Sequence, residues 1–359
     1  MNSVSIRVLF QCHNRRGLGH LMRGLNIAEE IRKRSPAAEV LFYTKSDPAS
    51  WNESFQLFVE TDEEGGSHWP EAVRSFSPNV IVYDTILPES RPENRPENRI
   101  DDGPLSSARR VYIMRKSKEE KQQEIFMNPF LETVDRILIP HTLDEFSCDI
   151  PPSLKDKSVY VGPIVRLPDP KIQAKLREKY GIGDRDFLLT STAGGGGFTE
   201  QAELFFETVY AVHRQIHPRY SNFRHLVVLG PNFQKSLSPL EGMTVIRHEP
   251  EISNLFALSR WVIAEGGYNT VNEIRAAKTA AVFLPSDRKF DDQEERVRAL
   301  EKKGLAVVFS PQSNPFAGKI AEVCSSESAL RRIKSNYETD QMETGNRVAA
   351  EKILELAAG

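Results

Sequence analysis

No stretch of the 359 residues approaches the roughly 18 consecutive apolar positions of a membrane-spanning helix. The first apolar run, Val4 to Phe10, carries Arg7 and leads into Asn14, Arg15 and Arg16, so the uncharged core of a secretory signal is missing too. The expectation is a cytoplasmic protein with no transmembrane segment. Cysteine is scarce: Cys12, Cys148 and Cys324 are odd in number, far apart and without paired spacing, which argues against a disulfide framework or a zinc site and for a reducing compartment. An excess of positive charge is also lacking. With a formal net charge of -3 the chain offers no field to gather a nucleic-acid backbone, so no nucleic-acid partner is expected. What is present is 39% hydrophobic and 27% charged residues, enough apolar material for two cores of ordinary domain size.

Short β-branched or aromatic runs alternate with helix-compatible segments. In the first half the runs are SIRVLF, EVLFY, NVIVY, RRVYIM and DRILIP, with a periodic stretch over 20–34. The second half continues with FLLTST, RHLVVLG, MTVIRH, RWVIAEGG, AAVFLP and LAVVFS, and with helices expected over 199–217, 251–258, 268–277 and 292–303. Continuous apolar runs separated by helices indicate parallel sheets covered on both faces, hence two Rossmann-like α/β domains. In VYVGPIVRLPDP, Gly162, Pro163, Pro168 and Pro170 break any regular element, and the linker is placed there. The expected domains are 1–162 and 163–340, with 341–359 a terminal helix whose packing the pattern leaves open. The tandem RPENRPENR from Arg91 to Arg99 reads as a solvated loop.

Four segments carry chemistry. RRGLGHLMRGLNIAEEI follows the first strand, and Gly17 and Gly19 permit a tight turn that points a helix N-terminus into the crevice at the sheet's C-terminal edge. Its glycine spacing is poor for a dinucleotide fingerprint, and no acidic residue ends EVLFYTK, which disfavours NAD. His20 at that mouth suits a general base, and a helix-capping or packing histidine fits as well. Asp84, ending NVIVYD, would orient the imidazole or simply start a turn.

In the second half, STAGGGGFTEQ places Gly194, Gly195, Gly196 and Gly197 before a helix starting near Thr199, an anion cradle without the GK[ST] of a Walker loop. AEGGYNTVNEIRAA repeats the device: Gly266 and Gly267 make a close-approach turn, Asn269 and Thr270 are expected to cap the helix, and Glu273 lies one turn inside it. A carboxylate there accepts from a ribose diol, or is an ordinary solvated acid. FLPSDRKFDDQEERVRAL delivers Asp291, Asp292 and Gln293 to another helix start, a donor-acceptor set suited to sugar hydroxyls or a plain acidic helix turn.

Together these segments resemble the GT-B glycosyltransferases of family 28, over nearly the whole chain and most firmly from HEPEISNLFALSRWVIAEGGYNTVNEI to the Asp-Gln pair. The GLGHLMR stretch is also similar to that of a nucleotide-sugar hydrolase of pseudaminic acid synthesis. The resemblance implies an α/β fold of the GT-B kind, two Rossmann-like domains with parallel sheets facing across a cleft and hinged near 162–170. The N-terminal domain would approach the acceptor and the C-terminal one would grip the donor. It implies that backbone around His248 and Glu249 meets a uracil-type base, that Glu273 meets the ribose, and that Gly266, Gly267, Asn269 and Thr270 line the diphosphate; Gly194, Gly195 and Gly196 of the other glycine loop are expected on the donor side as well. Asp292 and Gln293 would address the donor sugar, with Gly17, Gly19 and Arg23 in an acceptor-side loop. The implied activity is inverting, metal-independent transfer from a UDP-sugar to an acceptor hydroxyl with His20 as base and Asp84 behind it, and no cofactor. Partners would be the nucleotide sugar and a small-molecule or lipid-linked acceptor, with peripheral membrane contact left open. A hydrolase using the same donor grip and a UDP-sugar epimerase are the alternatives. Three features depart from the family pattern: Glu265 precedes the glycine turn, the 194–197 loop is all glycine, and the asparagine after the Asp-Gln pair is missing.

Overall fold

The computed structural model describes residues 5–12, 19–44, 55–60, 68–87, 107–310 and 316–358. Gly17 and the Arg91–Arg99 tandem lie outside them. The chain divides into two compact units, Met1–Ile164 with Glu343–Gly359, and Val165–Met342. No described helix is long and apolar enough to cross a membrane.

In the first unit β1 (Arg7–Gln11), β2 (Glu39–Thr44), β3 (Gln56–Val59), β4 (Val80–Asp84), β5 (Arg109–Ile113), β6 (Arg136–Ile139) and β7 (Ser158–Tyr160) form a parallel sheet in the order β3-β2-β1-β4-β5-β6-β7. Val8 lies beside both Val40 and Val80, so β1 is central. Alternate residues serve opposite faces. Val8, Phe10, Val40, Phe42, Val80 and Val82 pack under helix α1 (Gly19–Arg34), while Leu9, Leu41, Tyr43, Ile81 and Tyr83 pack under α2 (Trp69–Phe76) and α3 (Glu119–Phe126). Burial on both faces makes each strand an unbroken apolar run. A short α4 (Pro152–Lys155) precedes β7.

The second unit repeats the plan. After α5 (Pro170–Tyr180) come β8 (Phe187–Thr192), α6 (Thr199–Ile216), β9 (Phe223–Val228), β10 (Met243–Ile246), α7 (Ile252–Leu258), β11 (Trp261–Ala264), α8 (Tyr268–Ala276), β12 (Ala281–Phe283), α9 (Gln293–Lys302), β13 (Ala306–Val308), α10 (Ala317–Ser325) and α11 (Glu327–Thr339). Its sheet runs β10-β9-β8-β11-β12-β13, all parallel. The terminal helix α12 (Asn346–Ala358) belongs to the first unit, where Ala349, Ala350 and Ile353 share a core with Leu25, Ile27 and Ile31 of α1.

In both sheets the chain builds outward one way from a central strand, then returns to build the other way. The reversal falls between β1 and β4, and again between β8 and β11. Such a switch point opens a crevice beyond the strands' C-terminal ends, because the flanking connections leave in opposite directions.

The proline-rich junction requires a correction. It was expected to break all regular structure, yet Ser158–Tyr160 pairs with β6, and Pro170 opens a helix. Proline at the first helical position loses no needed N–H, and Asp169 caps it by accepting from the Lys171 N–H at 2.8 Å.

Candidate active site

The switch point of the first unit holds a closed network of side chains. β1 ends at Gln11, α1 starts at Gly19 and β4 ends at Asp84, so His20 and Asp84 reach the same crevice. His20 Nδ1 lies 3.0 Å from Asp84 Oδ1. Arg23, one helical turn after His20, donates to both carboxylate oxygens, Nε to Oδ2 at 2.9 Å and Nη2 to Oδ1 at 2.8 Å. The Thr85 hydroxyl adds a 2.7 Å bond to Oδ1. Thr85 itself has φ 62, a left-handed conformation for a β-branched residue, and its carbonyl accepts from the Tyr112 hydroxyl at 2.6 Å. Backbone strain of this sort persists where surrounding bonds over-determine it, and here it turns the chain sharply after Asp84.

Asp84 is 1% exposed and Arg23 2%. Burial works against the Asp84 carboxylate, but Arg23 and His20 overcome it and hold the carboxyl well below its ordinary range. For His20, burial lowers the pKa first, Asp84 opposes, and the Arg23 and Arg115 charges lower it again. A neutral imidazole bonded through Nδ1–H to an ionised carboxylate leaves the Nε2 lone pair free to take a proton. His20 is the second residue of α1 and is paired with Asp84 there. Arg23, expected in an acceptor-side loop, is instead the buried counter-ion of Asp84, and Gly19 is the first residue of α1. Sequence reading missed Arg23's role and Thr85, although a cationic residue three positions after His20 on a buried face was a usable signal.

The second switch point is made chiefly of backbone. Ala264 lies beside Thr192 in register, so the turns after β8 and β11 start from adjacent strand ends. A Cβ on Gly194 would stand 3.6 Å from Thr270 Oγ1 and one on Gly267 would stand 3.9 Å from it, so the two turns converge at that hydroxyl. Gly196, φ 69, lies so close to Leu229 and Phe233 that a Cβ would sit 2.7 Å from the Leu229 carbonyl. The Gly194 N–H is not open, as was expected, but donates to Thr192 Oγ1 at 3.0 Å. Among the described residues, no hydrogen bond uses the N–H of Gly195, Gly196, Gly197 or Gly267.

Asn269 and Thr270 were expected to cap α8. The helix begins at Tyr268 with Gly267 in the cap position, so both lie in its first turn, where Val271 N–H reaches the Gly267 carbonyl at 2.9 Å. Gly266 is fixed by packing: a Cβ there would lie 2.9 Å from Val297 Cγ1 and 3.0 Å from Gln293. Gln293 Oε1 accepts from the N–H groups of Gly266 and Ser286, both at 3.1 Å, which staples the turn to the loop after β12. The Gln293 amide nitrogen makes no protein hydrogen bond among the described residues. Asp292 caps α9 through the Glu295 N–H at 2.9 Å, and Asp291 is held by Arg296 at 2.6 Å, so of this acidic loop Gln293 keeps the free donor.

Glu273 is half-buried, with no side-chain hydrogen bond among the described residues, and burial pushes its carboxyl up to about 7, Arg166 opposing and Glu251 adding. Glu249 is otherwise engaged: its carboxylate accepts from Lys179 Nζ at 2.8 Å, Tyr180 Oη at 2.5 Å and the Glu251 N–H at 3.0 Å. What stays open at His248 and Glu249 is the backbone, which makes no hydrogen bond among the described residues.

Residues 194–351 match the glycosyltransferase family 28 C-terminal domain. An uncharacterised glycosyltransferase of Methanopyrus kandleri is 27% identical over 186 residues, a match that spans half of this chain and half the length of that relative. Among solved structures, a UDP-glucosyltransferase from Polygonum tinctorium capable of glucosylating indoxyl is 13% identical over the whole of both chains, with TM-score 0.64. MurG of Acinetobacter baumannii is 10% identical over 98% of this chain and 99% of its own, with TM-score 0.56. The likeness to these solved structures shows a GT-B fold. Within it, residues 194–351 are the part similar to the family 28 C-terminal domain.

Proposed function

We propose that the protein transfers a sugar from a nucleotide diphospho-sugar to an acceptor hydroxyl with inversion. The convergence of the two glycine turns on Thr270, with unused amides on both and Glu273 one turn behind them, carries this reading. Aligned amides at a helix start favour an anion, and in a water-poor crevice they stabilise the charge that develops on a leaving diphosphate. Glu273 accepts from the ribose diol, the open backbone of His248 and Glu249 reads the base, and the Gln293 amide donates to the sugar.

The first unit supplies the base. His20 Nε2 takes the acceptor hydroxyl's proton as its oxygen attacks the anomeric carbon and the bond to the diphosphate breaks. Asp84, fixed by Arg23, stabilises the imidazolium that forms. UDP heads the list of nucleotides because a structural neighbour is a UDP-glucosyltransferase.

The test is a thermal-shift panel of UDP, GDP and dTDP sugars, since a ligand of the native state raises its apparent stability. One member should raise the melting temperature of the wild type and fail to do so for Glu273→Ala. No shift with any member, or an equal shift in both proteins, overturns the donor site. Product analysis with and without added acceptor alcohols then separates transfer from hydrolysis.

A further inference from the structure

A buried ion pair lies across the two glycine turns, and it is incomplete. Glu265, 4% exposed, directly precedes Gly266 and Gly267, and its Oε2 accepts from Arg288 Nη2 at 2.7 Å. The Arg288 guanidinium carbon lies 3.8 Å from the ring centroid of Phe198, which directly follows Gly197. Arg288 therefore touches the residue flanking each turn. Its Nη1 is buried without a hydrogen-bond partner, and so is Glu265 Oε1. A guanidinium and a carboxylate can join through two parallel bonds, and a buried pair that leaves one donor and one acceptor idle is a poor end state. Beside amides that favour an anion, the idle member that an incoming phosphate would satisfy is the guanidinium. The carboxylate alone would repel it.

We propose that Arg288 is the side-chain cation for the donor's diphosphate, held in place by Glu265 and turning Nη1 to a phosphate oxygen while Nη2 keeps the carboxylate. The assignment rests on the donor site described above and adds the charge that backbone amides lack. Arginine suits this because its planar fork serves a carboxylate and a phosphate at once, which a lysine ammonium does not. It also accounts for the acid before the glycine turn. There Glu265 acts as a positioning residue for Arg288, and the net charge of the pair facing the anion is close to zero rather than negative.

The experiment measures, by calorimetry on the full chain, affinities for inorganic pyrophosphate, for UDP, GDP and dTDP, and for the matching nucleosides, in wild type, R288Q, R288K and E265Q. R288Q should weaken pyrophosphate and the bound nucleoside diphosphate about tenfold to hundredfold and leave the nucleoside unchanged. R288K should fall between, and E265Q, which removes a negative charge but keeps an acceptor, should tighten pyrophosphate a few-fold. If R288Q and R288K leave the diphosphate-to-nucleoside ratio as in wild type, or if E265Q weakens binding as R288Q does, the pair is structural and the assignment falls. Pyrophosphate binding that depends on Arg288 with no nucleotide bound would keep the assignment and sink the nucleotide reading. Nucleotide binding indifferent to Arg288 would do the reverse, and binding of none of these ligands would sink both.

Discussion

The same switch-point position in two sheets is furnished in opposite ways. Around Asp84 the side chains are tied together, with only His20 Nε2 left open among the described residues: Asp84 takes bonds from His20, Arg23 and Thr85, and Tyr112 secures Thr85. Around Gly266 the useful groups are untied, from the amides of Gly195, Gly196, Gly197 and Gly267 to the carboxyl of Glu273. Handling a proton requires one fixed tautomer and hence a saturated network. Holding an anion requires donors that the protein itself leaves unsatisfied, which glycine turns provide with little side-chain obstruction.

That contrast breaks most visibly at the first unit. With His20 as the proposed base, His20→Ala should lower turnover about 10²–10⁴-fold, with melting temperature and nucleotide affinity little changed. Asp84→Asn should do more harm to the fold, because Arg23 is left buried without its counter-ion, and about 3–5 kcal/mol is the usual consequence. Denaturation monitored beside kinetics separates the two. Equal destabilisation by both variants would contradict the division of labour.

In the second unit adjacent glycines should respond in opposite senses. Gly266→Ala forces a methyl to 2.9 Å from Val297 Cγ1 and should destabilise by about 1–3 kcal/mol. Gly267→Ala meets nothing closer than Thr270 Oγ1 at 3.9 Å, so stability should hold while diphosphate affinity drops. Unfolding curves beside pyrophosphate titrations give both quantities. Loss of stability at Gly267 would show that its turn is structural.

Glu273 sharpens the comparison through pH. Its carboxyl lies near 7 when folded against 4.5 for the free group, so the folded state holds this proton more tightly, and wild-type stability declines as pH rises from about 4.5 through 7. Glu273→Gln escapes that decline. It should be more stable than wild type at pH 8 by about 1–2 kcal/mol, partial solvent access reducing what the full shift implies, and the gain should vanish below pH 4.5. Thermal melts at pH 8 and pH 4.5 decide it, and the stabilised variant should bind nucleotide less well.

The fold and the residues near both crevices were legible in the sequence because doubly covered strands leave apolar runs and the turns after them carry glycine and polar residues. Edge strands Gln56–Val59 and Ser158–Tyr160 escaped because they are short and only half-buried, so their patterns do not stand out. The roles of Arg23, Arg288 and Thr85 escaped for another reason. Apart from the spacing of Arg23 from His20, an arginine that neutralises a buried carboxylate looks the same in sequence as one in solvent, and distance across the fold distinguishes them. The capping role of Asp292, which accepts from the Glu295 N–H, was not expected from the sequence either.

The smallest expected effect concerns a buried histidine chain with no part in the proposed chemistry. His213 Nε2 lies 3.0 Å from the Glu241 carbonyl, the two Nδ1 atoms of His213 and His225 are 3.1 Å apart, and His225 Nε2 is 2.8 Å from Ser191 Oγ. Only one neutral arrangement satisfies all three contacts: His213 donates to the carbonyl, His225 donates to His213, and Ser191 donates to His225. Burial lowers the pKa of both rings, His217 and Arg214 lowering His213 further and His213 lowering His225. Groups so shifted contribute stability above the unfolded value of 6.5, and that contribution is lost as pH falls below it, because the unfolded chain takes up protons that the folded one refuses. Hydrogen exchange at β8 and β9, corrected for intrinsic rates, should therefore lose about 1 kcal/mol of protection per pH unit below 6.5. At β1 and β4, where Asp84 opposes the same burial effect on His20, the loss should be smaller. Equal losses in the two sheets would remove the contrast between a histidine with an anionic partner and histidines that have only each other.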